Sequence, residues 1–197
     1  MTKKLSILIT GMPGTGKSSV AKLLYSKIGA VLVDINKLVD VLKLYSSIDE
    51  TDGAKVVRLK ELQEELVKTI KAEDSAVIVE GHLGCEIKLP VSKVIVLRCN
   101  PKELRRRLSG RNYSQEKVAN NALSEALDYC TVLSEKNYGK RKVWEIDTTN
   151  RSIKEVVLEV KKIIEGNKLK KEQVSFPEAL MKEAIAGETI RKLREKL

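Results

Sequence analysis

The feature that most constrains this fold is a glycine-rich segment close to the start of the chain. Residues 11–18 read Gly-Met-Pro-Gly-Thr-Gly-Lys-Ser, a full match to the pattern G-x-x-x-x-G-K-[ST]. An apolar run precedes the segment and a helical pattern follows it, which is the context that this pattern needs. Glycines leave the backbone amides open to an oxyanion, and the following helix directs its positive end at the same point. The segment therefore predicts a P-loop that binds a nucleoside triphosphate.

Two side chains of this loop have specific predicted roles. Lys17 can bridge the terminal phosphates, and Ser18 can offer its hydroxyl to Mg²⁺. The residues predicted to bind the nucleotide are Gly11, Pro13, Gly14, Thr15, Gly16, Lys17, Ser18 and Ser19.

Short, nearly continuous apolar runs recur along the chain and predict buried parallel strands. These runs lie at residues 5–9, 30–35, 76–80, 93–98 and 142–146. Apolar residues at helical spacing predict helices over 54–73 and 152–165, and Asn100-Pro101 predicts the start of another helix. Because strands alternate with helices, the sequence predicts a doubly wound α/β domain.

A second acidic element is expected where a neighbouring strand ends, close to the metal. Glu80 directly follows the apolar run Val77-Ile78-Val79, and its carboxylate could hold a metal or orient an attacking water. The alternative for Glu80 is an acidic strand end that faces solvent. His82, the only histidine of the chain, lies two residues further on, at the sheet edge where α/β proteins bind ligands. Structural and functional roles both remain open for His82.

An arginine-rich segment follows the run at 93–98. On a helix that begins at Pro101, Arg105 and Arg106 cannot share a face with Arg107, so at least one of them is surface charge. Arg111 lies beyond this helix in a Ser-Gly-Arg-Asn loop and could swing over a bound nucleotide. Mobile arginines stabilise the charge of a transferring phosphoryl group, and loop closure excludes water. The candidate catalytic residues are Lys17, Glu80, His82 and Arg111, and the candidate metal ligands are Ser18 and Glu80.

Composition narrows the class of protein further. A length of 197 residues fits one domain with a short appendage. The net charge of +10 attracts nucleotides, nucleic acid or an acidic partner without distinguishing them. Three widely spaced cysteines predict reduced thiols rather than a disulfide framework or a zinc site. No apolar run is long enough to cross a bilayer, and the first residues lack a cleavage site, so we expect a cytoplasmic protein that does not contact membranes.

Three segments resemble the nucleoside monophosphate (NMP) kinase superfamily, in particular the branch named adenylate kinase isoenzyme 6 and its archaeal relatives. They are residues 11–19, residues 79–82 (Val-Glu-Gly-His) and residues 107–125. The third segment shares the spacing of Arg107, Leu108, Arg111, Tyr113, Lys117, Asn121 and Glu125 with that branch. The resemblance covers roughly residues 5–165.

The resemblance implies a three-layer α/β/α P-loop fold with a five-stranded parallel sheet. It places an NMP-binding region at about residues 34–57 and a short lid at about 109–119, within a kinase domain of residues 1–166. It implies reversible phosphate transfer between ATP and AMP or another NMP, with Mg²⁺, and ATP hydrolysis. It also implies a role in small-subunit ribosome maturation, through transient binding to a platform ribosomal protein (family eleven) and to rRNA.

Some parts of the chain depart from this pattern. The branch often has aspartate where this chain has Glu80, and a glutamate reaches farther. The NMP-binding region aligns loosely, with Asp34, Asn36 and Arg58 as candidate acceptor contacts. Residues 167–197 form a basic extension in which the capping pair Ser175 and Glu178 predicts a helix starting near Phe176. An apolar stripe formed by Ile190, Leu193 and Leu197 could pack on the domain or on a partner, or the extension could be solvated.

Three other functions were compared with an NMP kinase. The protein could be an assembly factor whose ATP cycle switches its binding to a ribosomal protein and rRNA. It could also phosphorylate another small metabolite, such as a sugar acid, because such kinases share the P-loop and the sheet. A GTPase is disfavoured, because the Asn-Lys segment at Asn36 has the wrong spacing to Asp40 and occurs too early in the chain.

Overall fold

The structure, a computed structural model, describes residues 4–49, 53–111, 113–167, 170–179 and 181. Within these ranges, five strands form one parallel sheet in the order β2-β5-β1-β6-β7. The strands are β1 (Ser6–Thr10), β2 (Val31–Asp34), β5 (Val77–Glu80), β6 (Lys93–Arg98) and β7 (Val143–Asp147). The predicted α/β fold with a five-stranded parallel sheet is therefore confirmed.

Helices cover both faces of this sheet. They are α1 (Lys17–Ile28), α2 (Ile35–Val41), α3 (Leu59–Ala72), α4 (Pro101–Ser109), α5 (Gln115–Ala126), α6 (Tyr129–Tyr138) and α7 (Ile153–Ile164). Alternate residues of each strand point to opposite faces, so Ile7 and Ile9 pack with α1 and α7, whereas Leu8 packs with α3, α4 and α6. The result is a three-layer α/β/α arrangement with an apolar core on each side of the sheet.

Helix α7 begins as its sequence predicts. The Ser152 hydroxyl accepts from the Glu155 amide, and the Glu155 carboxylate accepts from the Ser152 amide, which completes a capping box. Asn100 caps α4 in a similar way, and Pro101 occupies its first turn.

One predicted helix is wrong at its start. The helix expected over 54–73 covers only Leu59–Ala72, because residues 55–57 form strand β4 (Lys55–Val57). This strand pairs antiparallel with β3 (Tyr45–Ile48) in a separate hairpin. Val56 and Val57 are β-branched and favour the strand, and the Arg58 guanidinium ties the hairpin together through the carbonyls of Lys43 and Tyr45.

The described part of the C-terminal extension lies against the domain. Residues 170–176 run without regular secondary structure, and residues 177–179 and 181 are helical, close to the predicted start near Phe176. The predicted stripe of Ile190, Leu193 and Leu197 lies outside the described residues. None of the helices in the described ranges has the length and apolar content of a membrane span. Cys85, Cys99 and Cys130 are free and buried, in agreement with the predicted reduced thiols.

Candidate active site

A cavity of about 530 Å³ opens at the carboxyl end of the sheet. Parallel strands bring their carboxyl ends to one edge, so the residues that follow β1 and β5 meet there. The wall combines the P-loop, the ends of β5 and α2, the tip of the β3–β4 hairpin and the segment between α4 and α5. Predicted site residues that line it are Pro13, Gly14, Gly16, Lys17, Ser18, Ser19, Glu80, His82 and Arg111.

The P-loop has the backbone of an anion-binding cradle. Gly14 and Gly16 have φ angles of 90° and 97°, in the left-handed region that glycine adopts without strain. Gly16 directly precedes α1 and has no side chain to cap it, so the first amides of the helix face the cavity. The Thr15 hydroxyl stabilises the turn by donating to the Met12 carbonyl at 2.9 Å. This arrangement fits a chain of phosphates, the ligand predicted from the sequence.

Glycine is also required because other elements pack tightly on the loop. A Cβ at Gly14 would lie 2.8 Å from Leu104 Cδ1, and one at Gly11 would lie 2.3 Å from the Leu97 carbonyl oxygen. Strand β6 and helix α4 therefore fix the shape of the loop from behind.

Lys17 brings a buried positive charge into the cradle. Its Nζ donates to the Met12 carbonyl at 3.0 Å, and its side chain is 9% exposed. Burial lowers the pKa of this ammonium group, because the charged form is poorly solvated there. A negative charge placed beside Nζ would compensate for the lost solvation of the ammonium group, so the site favours an anionic ligand.

Glu80 and Ser18 together offer oxygen ligands next to Lys17. Glu80 is 3% exposed, and burial raises the pKa of its carboxyl group, although a hydrogen bond from Ser18 opposes the shift. No group of three or more metal-ligating acidic, histidine or cysteine side chains occurs among the described residues. One carboxylate and one hydroxyl fit Mg²⁺, which is usually held by few protein oxygens together with phosphates and water.

His82 begins a short 3₁₀ turn, His82–Cys85, directly after β5. Its backbone carbonyl accepts from the Thr10 hydroxyl at 3.1 Å, which is a structural role. Its imidazole lines the cavity, is 34% exposed and lies 3.6 Å from a Glu86 carboxylate oxygen. Burial, and then the charge of Lys17, lower its pKa to about 4, so the imidazole is neutral at pH 7.

The segment between α4 and α5, together with α5 itself, forms another part of the wall. Arg111, Tyr113, Lys117 and Asn121 all line the cavity, and the Lys117 ammonium lies 5.0 Å from the centre of the Tyr113 ring. Arg107 is held in place from α4, because it donates to the Thr148 carbonyl at 2.9 Å and pairs with Glu103. Arg106 also pairs with Glu103 but is exposed, as the helical spacing predicts for one of the three arginines.

The opposite wall contains groups that sequence reasoning missed. Lys55 of the hairpin and Asp40 of α2 form an ion pair at the cavity, and Lys55 lies 5.1 Å from the centre of the Tyr45 ring. Asn36, a predicted acceptor contact, also lines this wall. Lys55 and Asp40 are 15 residues apart and meet only through the hairpin, so no local signal marks them.

The other two predicted acceptor contacts serve the local structure. Asp34 caps α2 by accepting from the Lys37 amide, and it borders a second cavity on the far side of Glu80. Arg58 holds the hairpin and pairs with Glu61, and the cavity wall does not include it.

The parallel sheet, the glycine cradle and the arginine-bearing segment define a P-loop protein with the fold of small kinases. Two solved structures share this fold. Thymidylate kinase from Candida albicans matches with a TM-score of 0.58 and 16% identity, and the match covers 84% of this chain and 92% of that one. Shikimate kinase from Acinetobacter baumannii matches with a TM-score of 0.57 and 15% identity, and the match covers 85% of this chain and 97% of that one.

Sequence comparisons show which family of P-loop proteins the chain belongs to. The family described as "AAA domain" matches residues 7–128. A protein of Methanocaldococcus jannaschii described as "Putative adenylate kinase" is 36% identical over 174 residues, which cover 88% of this chain and 94% of that protein. A protein of Archaeoglobus fulgidus with the same description is 42% identical over 162 residues, covering 82% and 83%. The chain therefore belongs to the adenylate and nucleoside monophosphate kinase family, whose members are phosphotransferases.

The titration of His82 tests the electrostatics of the site. Because the chain has no other histidine, its imidazole signals can be followed by NMR without further assignment. We expect a midpoint near pH 4 in the nucleotide-free protein, below the ordinary value of 6.5. Lys17→Met should raise the midpoint, because it removes the repelling charge and leaves the burial in place. An unshifted midpoint in the unmodified protein would contradict this description of the site.

The same shift has a defined effect on stability. The pKa of His82 is lower in the folded than in the unfolded chain. The neutral imidazole therefore contributes fully to the free energy of unfolding above pH 6.5, and this contribution is lost as the pH falls toward 4. Urea unfolding of a His82→Asn variant should therefore depend less on pH in this window than unfolding of the unmodified protein.

Proposed function

We propose that the protein is a nucleoside monophosphate kinase that transfers the terminal phosphate of ATP to AMP or another NMP. The observation that carries this proposal is the two-sided cavity, with the P-loop on one wall and Asn36, Asp40 and Lys55 on the other. A donor triphosphate fits the first wall, and the phosphate of an acceptor can approach Lys55 on the second. Relatives described as adenylate kinases support AMP as the acceptor.

Each predicted catalytic residue has a role in this proposal. The P-loop amides and Lys17 bind the phosphates of ATP, and Arg111 stabilises the charge of the group in transit. Ser18 and Glu80 would hold Mg²⁺, which when bound would neutralise phosphate charge. Closure of the lid, at about residues 109–119, over the cavity would exclude water and favour transfer to the acceptor.

ATP hydrolysis is the second activity that we propose for the same site. When no acceptor is bound, a water molecule can occupy the acceptor wall. Glu80 can orient it, and the neutral imidazole of His82 can accept a hydrogen bond from it.

The acceptor assay tests the proposed reaction most directly. ADP formation from ATP and Mg²⁺ should rise when AMP is added, more than with CMP or a sugar acid. Lys17→Ala should lower this rate by about 10²- to 10³-fold, because one stabilising group of the transferring phosphate is lost. Lys27→Ala, which removes an exposed lysine from the same helix, is the matched control. If the sugar acid were phosphorylated in preference to AMP, the phosphate acceptor would be a small metabolite and not an NMP.

Lys55 tests the acceptor wall separately from the donor wall. Lys55→Met should raise the KM for AMP by about tenfold or more, with little effect on the KM for ATP, because a charge-assisted hydrogen bond to the acceptor is lost. Its ion pair with Asp40 is partly exposed, so the fold should tolerate the change. Lys60→Met, at an exposed position of α3, provides the comparison. Equal effects on both KM values would argue against a separate acceptor site at Lys55.

We further propose that the enzyme acts in small-subunit ribosome maturation, in the cytoplasm, through a platform ribosomal protein and rRNA. The net charge of +10 supports this role, since a basic surface attracts the RNA backbone. Sedimentation with purified small ribosomal subunits should show binding that changes when ATP is added. If the protein did not bind the subunits either with or without ATP, the proposed role in ribosome maturation would be wrong and only the kinase reaction would stand.

A further inference from the structure

Arg98, the last residue of β6, is the centre of a buried ionic cluster. Its side chain is 1% exposed and pairs with the carboxylates of Glu125, Asp128 and Glu145. It also donates to the Glu125 carbonyl at 3.0 Å and to the Thr131 hydroxyl at 3.2 Å. One guanidinium therefore joins the sheet to the end of α5 and the start of α6.

This cluster holds only one end of the lid helix α5. Glu125 belongs to its last turn, and Asp128 to the left-handed turn that follows. The opposite end carries Lys117 and Asn121, which line the cavity. Twelve residues of helix span about 18 Å, so a small tilt at Arg98 becomes a large displacement over the P-loop.

Helix α4, the other arm of the lid, is fixed in place. Leu104 and Leu108 pack against Gly14, and Arg107 donates to the Thr148 carbonyl. Movement of α4 would therefore disturb the P-loop. Helix α5 also packs in the same apolar core, through Val118, and its C-terminal end at the Arg98 cluster is the pivot about which it would tilt.

The C-terminal extension completes this pivot. The Val174 carbonyl accepts from Arg98 at 3.1 Å, and the Val174 amide donates to Glu145 at 3.2 Å. The Phe176 ring lies with its centre 5.6 Å from the guanidinium carbon. Further back, the Lys171 ammonium donates to the carbonyls of residues 140, 141 and 143, and lies 4.7 Å from the centre of the Trp144 ring.

We propose that Arg98 is a positioning residue for the lid and that residues 171–176 of the C-terminal extension complete its pivot, so that docking of the extension sets the position of α5. The extension takes up part of the hydrogen-bonding capacity of Arg98, which is buried, and of Glu145, whose side chain is 8% exposed. Undocking would leave these groups incompletely paired and would loosen their hold on α5. A partner that pulls on the extension would thereby change nucleotide binding from a segment that does not line the cavity.

Hydrogen exchange in the nucleotide-free protein tests the pivot independently of the proposed kinase reaction. Phe176→Ala should speed the exchange of α5 amides by about three- to tenfold and leave α1 and α7 unchanged, because a cation–π contact on Arg98 is lost. Phe176→Tyr keeps the ring and should restore the slow exchange. Met181→Ala, at an exposed residue of the extension, is the control.

A second variant changes the part of the Arg98 cluster that adjoins α5. Asp128→Asn removes one ionic partner of Arg98, and asparagine tolerates the left-handed backbone at this position. It should speed exchange in α5 in the same way as Phe176→Ala. Unchanged exchange of α5 in both variants, or equal acceleration throughout the domain, would overturn the proposal.

Nucleotide binding and fluorescence provide the functional readout. Trp144 is the only tryptophan, so its emission reports directly whether Lys171 is docked. Truncation after residue 170 should shift this emission and weaken ATP binding by about three- to tenfold, comparable to the loss expected of one positioning contact. A shifted emission with unchanged ATP affinity would show docking without coupling to the lid, and would refute the proposal.

Discussion

The buried ammonium group of Lys17 is the constraint on which the site depends. A charge that is removed from water requires compensation, and the protein supplies a carbonyl at 3.0 Å and the nearby carboxylate of Glu80. Burial, together with the same charge, lowers the pKa of the His82 imidazole, which is therefore neutral at pH 7. Phosphates that enter the cradle complete the compensation, so ligand binding and the protonation states of the neighbouring groups are linked.

The P-loop wall of the cavity can be predicted from the sequence because its residues are contiguous in the chain. Eight contiguous residues determine the shape of the loop, and the parallel sheet brings Glu80 beside it without any further information. The opposite wall depends on the pairing of Lys55 with Asp40 through a hairpin, and apolar spacing misassigned the second strand of that hairpin to a helix. Periodicity detects a buried helix face such as that of α3, but it does not show which short segment before the helix finds a strand partner.

Arg98 illustrates a second limit of sequence reasoning. In the sequence it is the last residue of the apolar run at 93–98, directly before the arginine-rich segment, and no local pattern marks it as the centre of an ionic cluster. In the fold it is buried, and its carboxylate partners come from positions 125, 128 and 145. A buried charge is tolerated only where distant parts of the chain supply its counter-charges, so its role depends on tertiary structure.

The position of this buried charge agrees with the lid that we propose. Such a lid has to move over the P-loop without deforming the cradle, which it can do where one arm is tightly packed and the other turns about a pivot. Packing of Leu104 and Leu108 on Gly14 makes α4 rigid, since even one additional methyl group would not fit there. A pivot for α5 needs directional contacts that keep their partners while the helix tilts, and a planar guanidinium with several acceptors provides them better than close apolar packing does.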